Sequence, residues 1–486
     1  MARIIVVGAG AGGLAAAARL GAKRHEVTVV EAAGHVGGKL RTLRRDGFAF
    51  DTGPSLFTLP AVYRDLFLKT GGPLENEVDL LETEPGFGYH FADGSRLQLP
   101  GSSMGRTCTA ISDQWGTAAG DSWRDLMARA ATIWRLTREA VLGTAMQGPR
   151  QLLALARPAD LRAVAPWRSL HDMGSRELTD PRLRMVLDRY ATYSGSLPQR
   201  APGALITIPF VEQTFGLWHI GGGLGNLADA MHRRCEKAGV TFRLGTAVDR
   251  ITHTDGAVTG VLTSDGHHLA ADIVVSDADA RRLGELTEGA VGAPGRTASY
   301  GGFAIMLARS GTTPDLNHHS VWFPARYADE FRDLAAGRPV ADPAIYVCRP
   351  DDPTMAPPGC EAWFVLVNAP RHAPSQADGH DWSDTAANER YADRVLDLLA
   401  ERGPDVRDRV LWRELQTPLD LGVRDRTGDG AIYGTASHGA LSVLQRARNE
   451  GPLDGLFQVG GTAHPGGGLP LVGMGAEIVA GLIGRA

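Results

Sequence analysis

The chain has 486 residues, with 50 lysines and arginines against 55 aspartates and glutamates, which gives a formal net charge of −5. This length corresponds to roughly three domain-sized units. The acidic balance argues against nucleic-acid binding, because phosphate neutralisation needs clustered Lys and Arg, and an apolar share of 43% with a charged share of 22% excludes a disordered chain.

Cysteine usage and the first residues of the chain bear on its compartment. The four cysteines are scattered without a CxxC pair, which excludes a disulfide framework and a cysteine zinc cluster. The sequence shows no secretory leader and no run of about 18 apolar residues that could cross a membrane. We expect reduced thiols, no bound metal and a cytoplasmic protein.

The first elements form a βαβ unit. Residues 3–7 are a short β-branched run, typical of a buried parallel strand. A helix is predicted around Leu14–Leu20, and a second strand covers Val27–Val30 and ends at Glu31. This order of elements is the opening of a dinucleotide-binding fold.

The turn between the first strand and the helix reads Gly8-Ala9-Gly10-Ala11-Gly12-Gly13, a GxGxxG pattern. Gly8 permits a tight turn, Gly10 lets the backbone approach a pyrophosphate, and Gly13 lets helix and strand pack closely. The helix N-terminus offers N–H groups to phosphates, and Glu31 stands where a carboxylate accepts hydrogen bonds from ribose hydroxyls. We therefore assign Gly8, Gly10, Gly12, Gly13 and Glu31 to dinucleotide binding.

The residues that follow distinguish between NAD and FAD. The string Gly37-Gly38-Lys39-Leu40-Arg41-Thr42 precedes Gly47, Asp51 and Gly53-Pro54-Ser55. This string resembles the extended fingerprint of the FAD-dependent amine oxidase and phytoene desaturase superfamily, which favours FAD. Lys39 or Arg41 can neutralise phosphate charge, and the resemblance implies that the main chain at Gly53 lies beside the isoalloxazine. The cofactor residues expected here are Gly38, Lys39, Arg41, Gly53, Pro54 and Ser55.

Residues 143–170 form a stretch rich in Leu, Ala and Arg that three prolines interrupt, so we predict several short helices. Short amphipathic helices with arginines on the rim suit binding in a membrane interface; ordinary packed surface helices are the alternative. The apolar positions are Leu152, Leu153, Leu155, Leu161 and Val164, and the interleaved arginines are Arg150, Arg157, Arg162 and Arg168.

The βα character returns in the second half of the chain. A glycine turn precedes a further helix, and an Asp-Gly pair between two strand-like runs is a hairpin signal. Residues 286–420 are expected to alternate strands and loops. The predicted elements are a helix over Leu224–Ala238 and strands over Val240–Leu244, Val258–Thr263, His267–Leu269 and Ile273–Val275.

The C-terminal segment repeats the logic of the opening. A strand over Leu456–Val459 precedes a glycine loop, Gly460–Gly468, and an apolar helix over Val472–Ile483. A helix N-terminus at the N1/C2=O edge of a flavin would stabilise the reduced form. The segment resembles the carotenoid desaturases, which carry His-Pro-Gly-x-Gly-x-Pro here. The resemblance implies cofactor contacts from Val248, Gly460, Gly461, Leu471, Val472 and Met474.

The resemblance runs along the whole chain, through Phe215-Gly216-Leu217-Trp218 and Ser276-Asp277-Ala278-Asp279. By these motifs the chain is identified as a member of the bacterial-type phytoene desaturase family. The segment Gly430-Ala431-Ile432-Tyr433-Gly434 resembles the carotenoid 3,4-desaturases, which act on hydroxylated acyclic carotenes. Phytoene desaturation, early in the pathway, is the alternative.

The resemblance implies an FAD-dependent carotenoid desaturase. A hydride would pass from an acyclic carotene to flavin N5, a proton would leave the neighbouring carbon, and a quinone or oxygen would reoxidise the flavin. The candidate catalytic residues are Arg168, which lies where the resembling enzymes place substrate-channel residues, and His464, which could transfer a proton. Purely structural roles are the alternatives. Neither His35 nor His464 lies in a covalent attachment signal, so we expect noncovalent FAD.

We expect an α/β fold, with a Rossmann-like FAD-binding domain (a parallel sheet with a β-hairpin insertion) and an inserted α+β substrate domain. Because carotenes dissolve in bilayers, the part near 143–170 is expected to contact the membrane peripherally. Other functions on this fold are a carotenoid cis–trans isomerase, a flavin amine oxidase or protoporphyrinogen oxidase, and an escort of prenylated proteins. The expected segments are 1–65, 215–285 and 421–486 for FAD binding, and 66–214 and 286–420 for the substrate.

Overall fold

The computed structural model describes residues 1–151, 157–292 and 297–486. Its helices are α1 (Ala11–Ala22), α2 (Ala61–Thr70), α3 (Met104–Trp115), α4 (Thr117–Thr137), α5 (Pro158–Val164), α6 (Leu170–Glu177), α7 (Pro181–Arg189), α8 (Thr207–Phe215), α9 (Gly225–Lys237), α10 (Leu283–Leu286), α11 (Ala328–Ala335), α12 (Thr385–Arg402), α13 (Pro418–Arg424) and α14 (Leu469–Ile483). Its strands are β1 (Arg3–Val7), β2 (Glu26–Val30), β3 (Thr42–Arg45), β4 (Phe48–Asp51), β5 (Phe57–Thr58), β6 (Leu80–Glu82), β7 (Phe87–His90), β8 (Arg96–Leu99), β9 (Leu217–Ile220), β10 (Thr241–Arg243), β11 (Val248–Thr254), β12 (Ala257–Thr263), β13 (His268–Ala270), β14 (Ile273–Ser276), β15 (Gly301–Ser310), β16 (His319–Trp322), β17 (Ile345–Cys348), β18 (Cys360–Ala369), β19 (Val410–Gln416) and β20 (Leu456–Gln458).

A five-stranded parallel sheet in the order β10-β2-β1-β14-β20 forms the layer nearest the chain's first residues. Its central strand β1 is buried from Ile4 to Val7, as expected for a parallel strand covered on both faces. Helices α1, α9 and α14 pack on one face, and the antiparallel sheet β11-β12-β13 packs on the other. The predicted Rossmann-like arrangement with a β-hairpin insertion is thereby confirmed.

The parallel strands all point the same way, so the turns that follow them gather at one edge of the sheet. The glycine turn follows β1, Glu31 follows β2, Asp277 follows β14, and Gly460 comes two residues after β20. This common edge positions residues that lie far apart in the sequence around one cavity.

A seven-stranded sheet in the order β19-β15-β18-β17-β16-β7-β8 forms the second layer. Strand β15 is buried along nearly its whole length, and its side chains alternate between two cores, as a strand's period of two requires. Ile305 packs with α12 on one side, whereas Met306 packs with residues of α3, α4 and α7 on the other. The β-sheet and its helices together make the predicted α+β part.

Two features of the chain differ from the expectation. Residues 286–420 contain the 18-residue helix α12 within the span predicted as strands and loops. Its buried side chains Ala392, Val395, Leu396 and Leu399 repeat with helical spacing, so the signal was present in the sequence. In addition, α2 runs through the expected boundary at residue 65 and places Leu66 in the core of the parallel sheet.

The segment 143–170 is described in part. Helix α5 begins with Pro158 in its first turn, as a short helix in a proline-interrupted stretch should, whereas Leu152, Leu153 and Leu155 lie outside the described residues. Arg150, Arg157 and Arg162 are exposed. In the described parts of the chain, no helix combines the length and the apolar character needed to cross a bilayer.

Candidate flavin and substrate site

One cavity of about 960 Å³ connects the two layers. At one end it is lined by the turns that follow β1, β2, β14 and β20. Its other walls come from the second layer and its helices and carry many apolar side chains, including Trp134, Val141, Leu205, Ile208, Val211, Phe364 and Leu366. The cavity therefore joins a turn-rich end, built from backbone, to an apolar end.

In the glycine turn after β1, the positions of Gly10, Gly12 and Gly13 leave no room for a β-carbon. Gly8 has a φ of +98°, which favours glycine. A β-carbon on Gly10 would collide with the Asp277 carboxyl, and one on Gly12 would lie 2.7 Å from the backbone nitrogen of Gly460. Gly13 does not line the cavity; a β-carbon there would collide with the Gly8 carbonyl, so Gly13 serves the close packing of helix and strand. This cradle fits the pyrophosphate of a dinucleotide.

Glu31 fixes the geometry of the turn as well as lining the cavity. Its Oε2 accepts a hydrogen bond of 2.6 Å from the backbone N–H of Ala9, and its Oε1 accepts one of 2.8 Å from Ala33. Both carboxylate oxygens have lone pairs left for ribose hydroxyls. Val248 lies in the same wall, so the structure brings together the residues predicted for the adenosine end.

Asp277 is a partly buried acid at the centre of this edge. Burial, together with the neighbouring charge of Glu31, raises the pKa of Asp277 to about 7. A protonated carboxyl beside the glycine turn avoids repulsion with a bound phosphate, whereas an ionised one would add to it. The acid appears in the sequence only as part of a family motif, and its electrostatic role emerges from the structure.

The residues after Glu31 line the middle of the cavity. Lys39 donates a hydrogen bond of 2.9 Å from Nζ to the carbonyl of Ile432, which ties the fingerprint to the Gly430–Gly434 segment. A β-carbon on Gly53 would collide with the carbonyl of Lys39. Gly38, Arg41, Pro54 and Ser55 also line the cavity, and for Arg41 no ion pair is found among the described residues.

The C-terminal loop closes the opposite side. Gly460, Gly461, Leu471 and Val472 line the cavity, whereas Met474 does not. Helix α14 begins at Leu469, three residues earlier than predicted, with Pro470 in its first turn. Its N-terminal end therefore faces the cavity, where its dipole favours negative charge.

The two residues proposed for catalysis do not line this cavity. Arg168 forms an ion pair of 3.1 Å with Glu177, whose carboxylate is shared with Arg129. His464 is buried, and its Nε2 lies 3.0 Å from the carbonyl oxygen of Thr144. Burial lowers the pKa of His464. Arg168 thus braces helices of the second part, and His464 anchors the loop that carries Pro465. These contacts favour the structural alternative for both residues.

The structure instead brings Arg189, Tyr193, Glu212 and Tyr346 into the cavity wall. No sequence motif marked them, because they come from separate elements of the second part. A second unforeseen cluster is His318, His319 and Cys348, whose potential ligand atoms lie within 4.8 Å of one another. These three do not line the cavity, and the absence of a metal stays a prediction.

Comparison with known proteins shows relatives of the whole chain. The family described as flavin containing amine oxidoreductase matches residues 11–307. The chain is 32% identical to a hydroxyneurosporene desaturase of Cereibacter sphaeroides, over 97% of this chain and 95% of that protein. It is 29% identical to a 4,4'-diapolycopene oxygenase of Methylomonas sp., over 98% and 97% of the two chains. It is 28% identical to a 1-hydroxycarotenoid 3,4-desaturase of Flavobacterium sp., over 99% of both chains.

Solved structures support the fold. An oxidoreductase of Methanosarcina mazei superposes with a TM-score of 0.67 at 18% identity, covering 98% of this chain and 99% of that chain. At this identity the likeness concerns architecture alone. It agrees with the overall arrangement of sheets and helices.

Proposed function

The chain belongs to the family of flavin-containing amine oxidoreductases, and from this premise we propose that it is an FAD-dependent carotenoid desaturase. It would introduce conjugated C=C bonds into an acyclic carotene. Flavin, when bound, supplies the two-electron chemistry by accepting a hydride from the substrate. A quinone or oxygen is the proposed acceptor of the electrons.

The observation that carries this proposal is the cavity itself. Its turn-rich end presents the glycine turn and Glu31, which suit a dinucleotide, and it continues without a break into a wall of apolar side chains. A long hydrocarbon needs such a wall more than it needs polar groups. Full-length relatives with names of carotenoid desaturases and oxygenases support the same substrate class.

One set of cavity residues would bind the cofactor and another would bind the substrate. The glycine turn, Glu31 and the N-terminal end of α14 would hold FAD, and Lys39 with Arg41 would neutralise its phosphates. The apolar wall would hold the polyene and exclude water from the reacting carbons. We propose that FAD is bound noncovalently; acid precipitation of the protein should then release all flavin into the supernatant.

The test is a chromatographic product scan with purified, FAD-supplemented protein and carotenoid-loaded liposomes. Phytoene and a 1-hydroxylated acyclic carotene are assayed side by side. A product with a longer chromophore and two hydrogens fewer supports the desaturase, and the substrate that reacts distinguishes an early from a late step. A product of unchanged mass indicates the isomerase, a product that gains oxygen indicates an oxygenase, and no change with either carotene overturns the carotenoid assignment.

We also propose that the protein meets the membrane through the residues around 143–170. Val141, Leu142 and Val164 line the cavity, and Trp167 close by exposes 67% of its surface. Exposed aromatic and basic side chains suit the membrane interface. Charge reversal at Arg150, Arg157 and Arg162 should lower co-sedimentation with anionic liposomes severalfold. The control reverses the charge of three other exposed arginines, Arg326, Arg332 and Arg394. An equal loss of co-sedimentation in the control would contradict the proposal.

A further inference from the structure

A buried cation lies in the substrate wall of the cavity. Arg189 ends α7, exposes 8% of its surface and lines the cavity. Its guanidinium carbon lies 5.1 Å from the ring centre of Tyr193 and 5.4 Å from those of Phe87 and Tyr346. These aromatic faces stabilise a positive charge and leave it without a counter-ion.

The hydrogen-bonding capacity of Arg189 is largely unused. Within the described residues no Asp or Glu oxygen lies within 4.0 Å of its nitrogens, and the bond that is formed runs from Nη1 to the Tyr193 hydroxyl at 2.7 Å. The deeply buried Arg309, by contrast, pairs with Glu361 at 3.0 Å. A guanidinium carries five N–H donors, and those of Arg189 that lack a partner border the cavity rather than being enclosed in the core. The unpaired N–H groups of Arg189 can therefore donate hydrogen bonds to an acceptor bound in the cavity.

The residues around Arg189 indicate which kind of acceptor group would fit there. Glu212 also lines the cavity, but its Oε1 accepts a hydrogen bond of 2.5 Å from Tyr190, and burial raises its pKa to about 7. Its carboxyl is therefore only partly ionised near neutral pH, and none of its oxygens lies within 4.0 Å of a nitrogen of Arg189. The wall beyond it is apolar, with Leu205, Ile208 and Val211, which suits a hydrocarbon with one oxygen atom.

The aromatic rings around Arg189 also adjoin the segment proposed to face the flavin. The Tyr346 ring, which contacts Arg189, carries a hydroxyl that donates a hydrogen bond of 3.0 Å to Oγ of Ser55. Ser55 follows Gly53-Pro54 directly in the fingerprint. An oxygen held by Arg189 would therefore belong to the end of the polyene that reacts, rather than to its distant end.

We propose that Arg189, oriented by Tyr193, binds an oxygen substituent, a hydroxyl or a carbonyl, on the reacting end of an acyclic polyene, and so makes the enzyme select oxygenated over plain hydrocarbon substrates. The inference rests on the proposed function. It deepens that function by assigning the residue that would determine the preference for an oxygenated substrate.

The test compares an acyclic carotene that carries a terminal hydroxyl group with the same carotene lacking it, presented together in liposomes to the FAD-loaded enzyme. The wild-type enzyme should favour the hydroxylated substrate in kcat/KM. In Arg189→Met, which keeps length and packing, the ratio of the two kcat/KM values should fall by about 10- to 100-fold, mainly through a higher KM for the hydroxylated substrate. Arg189→Lys keeps the charge and should retain part of the preference.

The flavin content and melting temperature of each variant establish that it is folded. A constant ratio in folded Arg189→Met, with both rates lowered equally, would show a structural role and overturn the inference; so would a wild-type preference for the hydrocarbon. Should Arg189→Met not fold, Arg189→Lys decides, because an unchanged ratio there excludes recognition by the guanidinium. If the wild-type enzyme converts neither carotene, the proposed function itself is overturned. That result differs from failure of the inference about Arg189, in which the wild-type enzyme is active but the ratio does not change.

Discussion

Gly12 and Asp277 stand so close that a β-carbon on Gly12 would lie 2.5 Å from Oδ1 of Asp277. The same β-carbon would lie 2.7 Å from the backbone nitrogen of Gly460. Three turns from distant parts of the chain therefore share one contact at the edge of the parallel sheet. The cofactor cradle depends on the absence of a single methyl group.

Gly12→Ala should displace these turns. We expect a loss of stability of about 1–3 kcal/mol from overpacking and purified protein with little bound flavin. The matched control is Gly105→Ala, which lies in the first turn of α3 and whose β-carbon would meet no atom within 4 Å; it should be neutral or slightly stabilising, since Ala favours helix. Thermal unfolding with and without FAD measures both, and equal behaviour of the two variants would refute the steric account.

Glu31→Gln should weaken FAD binding by about 10- to 100-fold, because hydrogen bonds to a charged group contribute about 1.5–3 kcal/mol. The carboxylate also holds the Ala9 N–H at 2.6 Å, so the turn itself should loosen. Quenching of flavin fluorescence on titration gives the affinity. Glu26→Gln, at the exposed first position of the same strand, is the control, and a similar loss there would point to global charge instead.

FAD affinity should fall as the pH rises above about 7. Burial raises the pKa of Asp277 to about 7, so its carboxyl is protonated below that pH and becomes a negative charge beside the phosphates above it. One titrating group changes affinity by at most about tenfold per pH unit. Flavin titrations at pH 6, 7, 8 and 9 measure the slope, and Asp277→Asn should flatten it. A slope that persists in Asp277→Asn would assign the effect to another group.

Glu361→Gln should destabilise the seven-stranded sheet by about 3–5 kcal/mol, because it leaves the buried charge of Arg309 uncompensated. Glu361 also accepts hydrogen bonds of 2.7 Å from the Thr313 N–H and 2.9 Å from Trp363 Nε1. The control, Glu389→Gln, breaks a surface pair with Arg413 and should cost at most about 1 kcal/mol. Urea unfolding followed by tryptophan fluorescence compares them, and a loss for Glu361→Gln no larger than the control's would contradict the prediction.

The dinucleotide half of the molecule could be predicted because its signals are local. The strand over residues 3–7, the glycine turn, Glu31 and the Asp265-Gly266 hairpin are each decided by neighbouring residues, and the structure has all of them. Helix α12 was not predicted, although its buried apolar residues have helical spacing, because it lies among turn-rich segments.

The substrate wall could not be read from the sequence for a physical reason. Arg189, Glu212 and Tyr346 lie on α7, α8 and β17, and only the packing of those elements brings them to one cavity. Arg168, by contrast, lies just before the short helix α6 and forms an ion pair with Glu177, the last residue of that helix. A lone arginine in a sequence does not reveal which of these two environments it occupies.

The place of β20 in the parallel sheet has a consequence for biogenesis. Strands β1, β2 and β14 leave the ribosome well before β20, which pairs with β14, and before α14, which packs on α1. Until those late segments emerge, the apolar edge of β14 and the face of α1 stay uncovered, and such surfaces are prone to aggregation. The cavity wall that includes Gly460 is therefore incomplete until β20 has paired with β14, so we expect flavin to bind only after β20 and α14 have been synthesised.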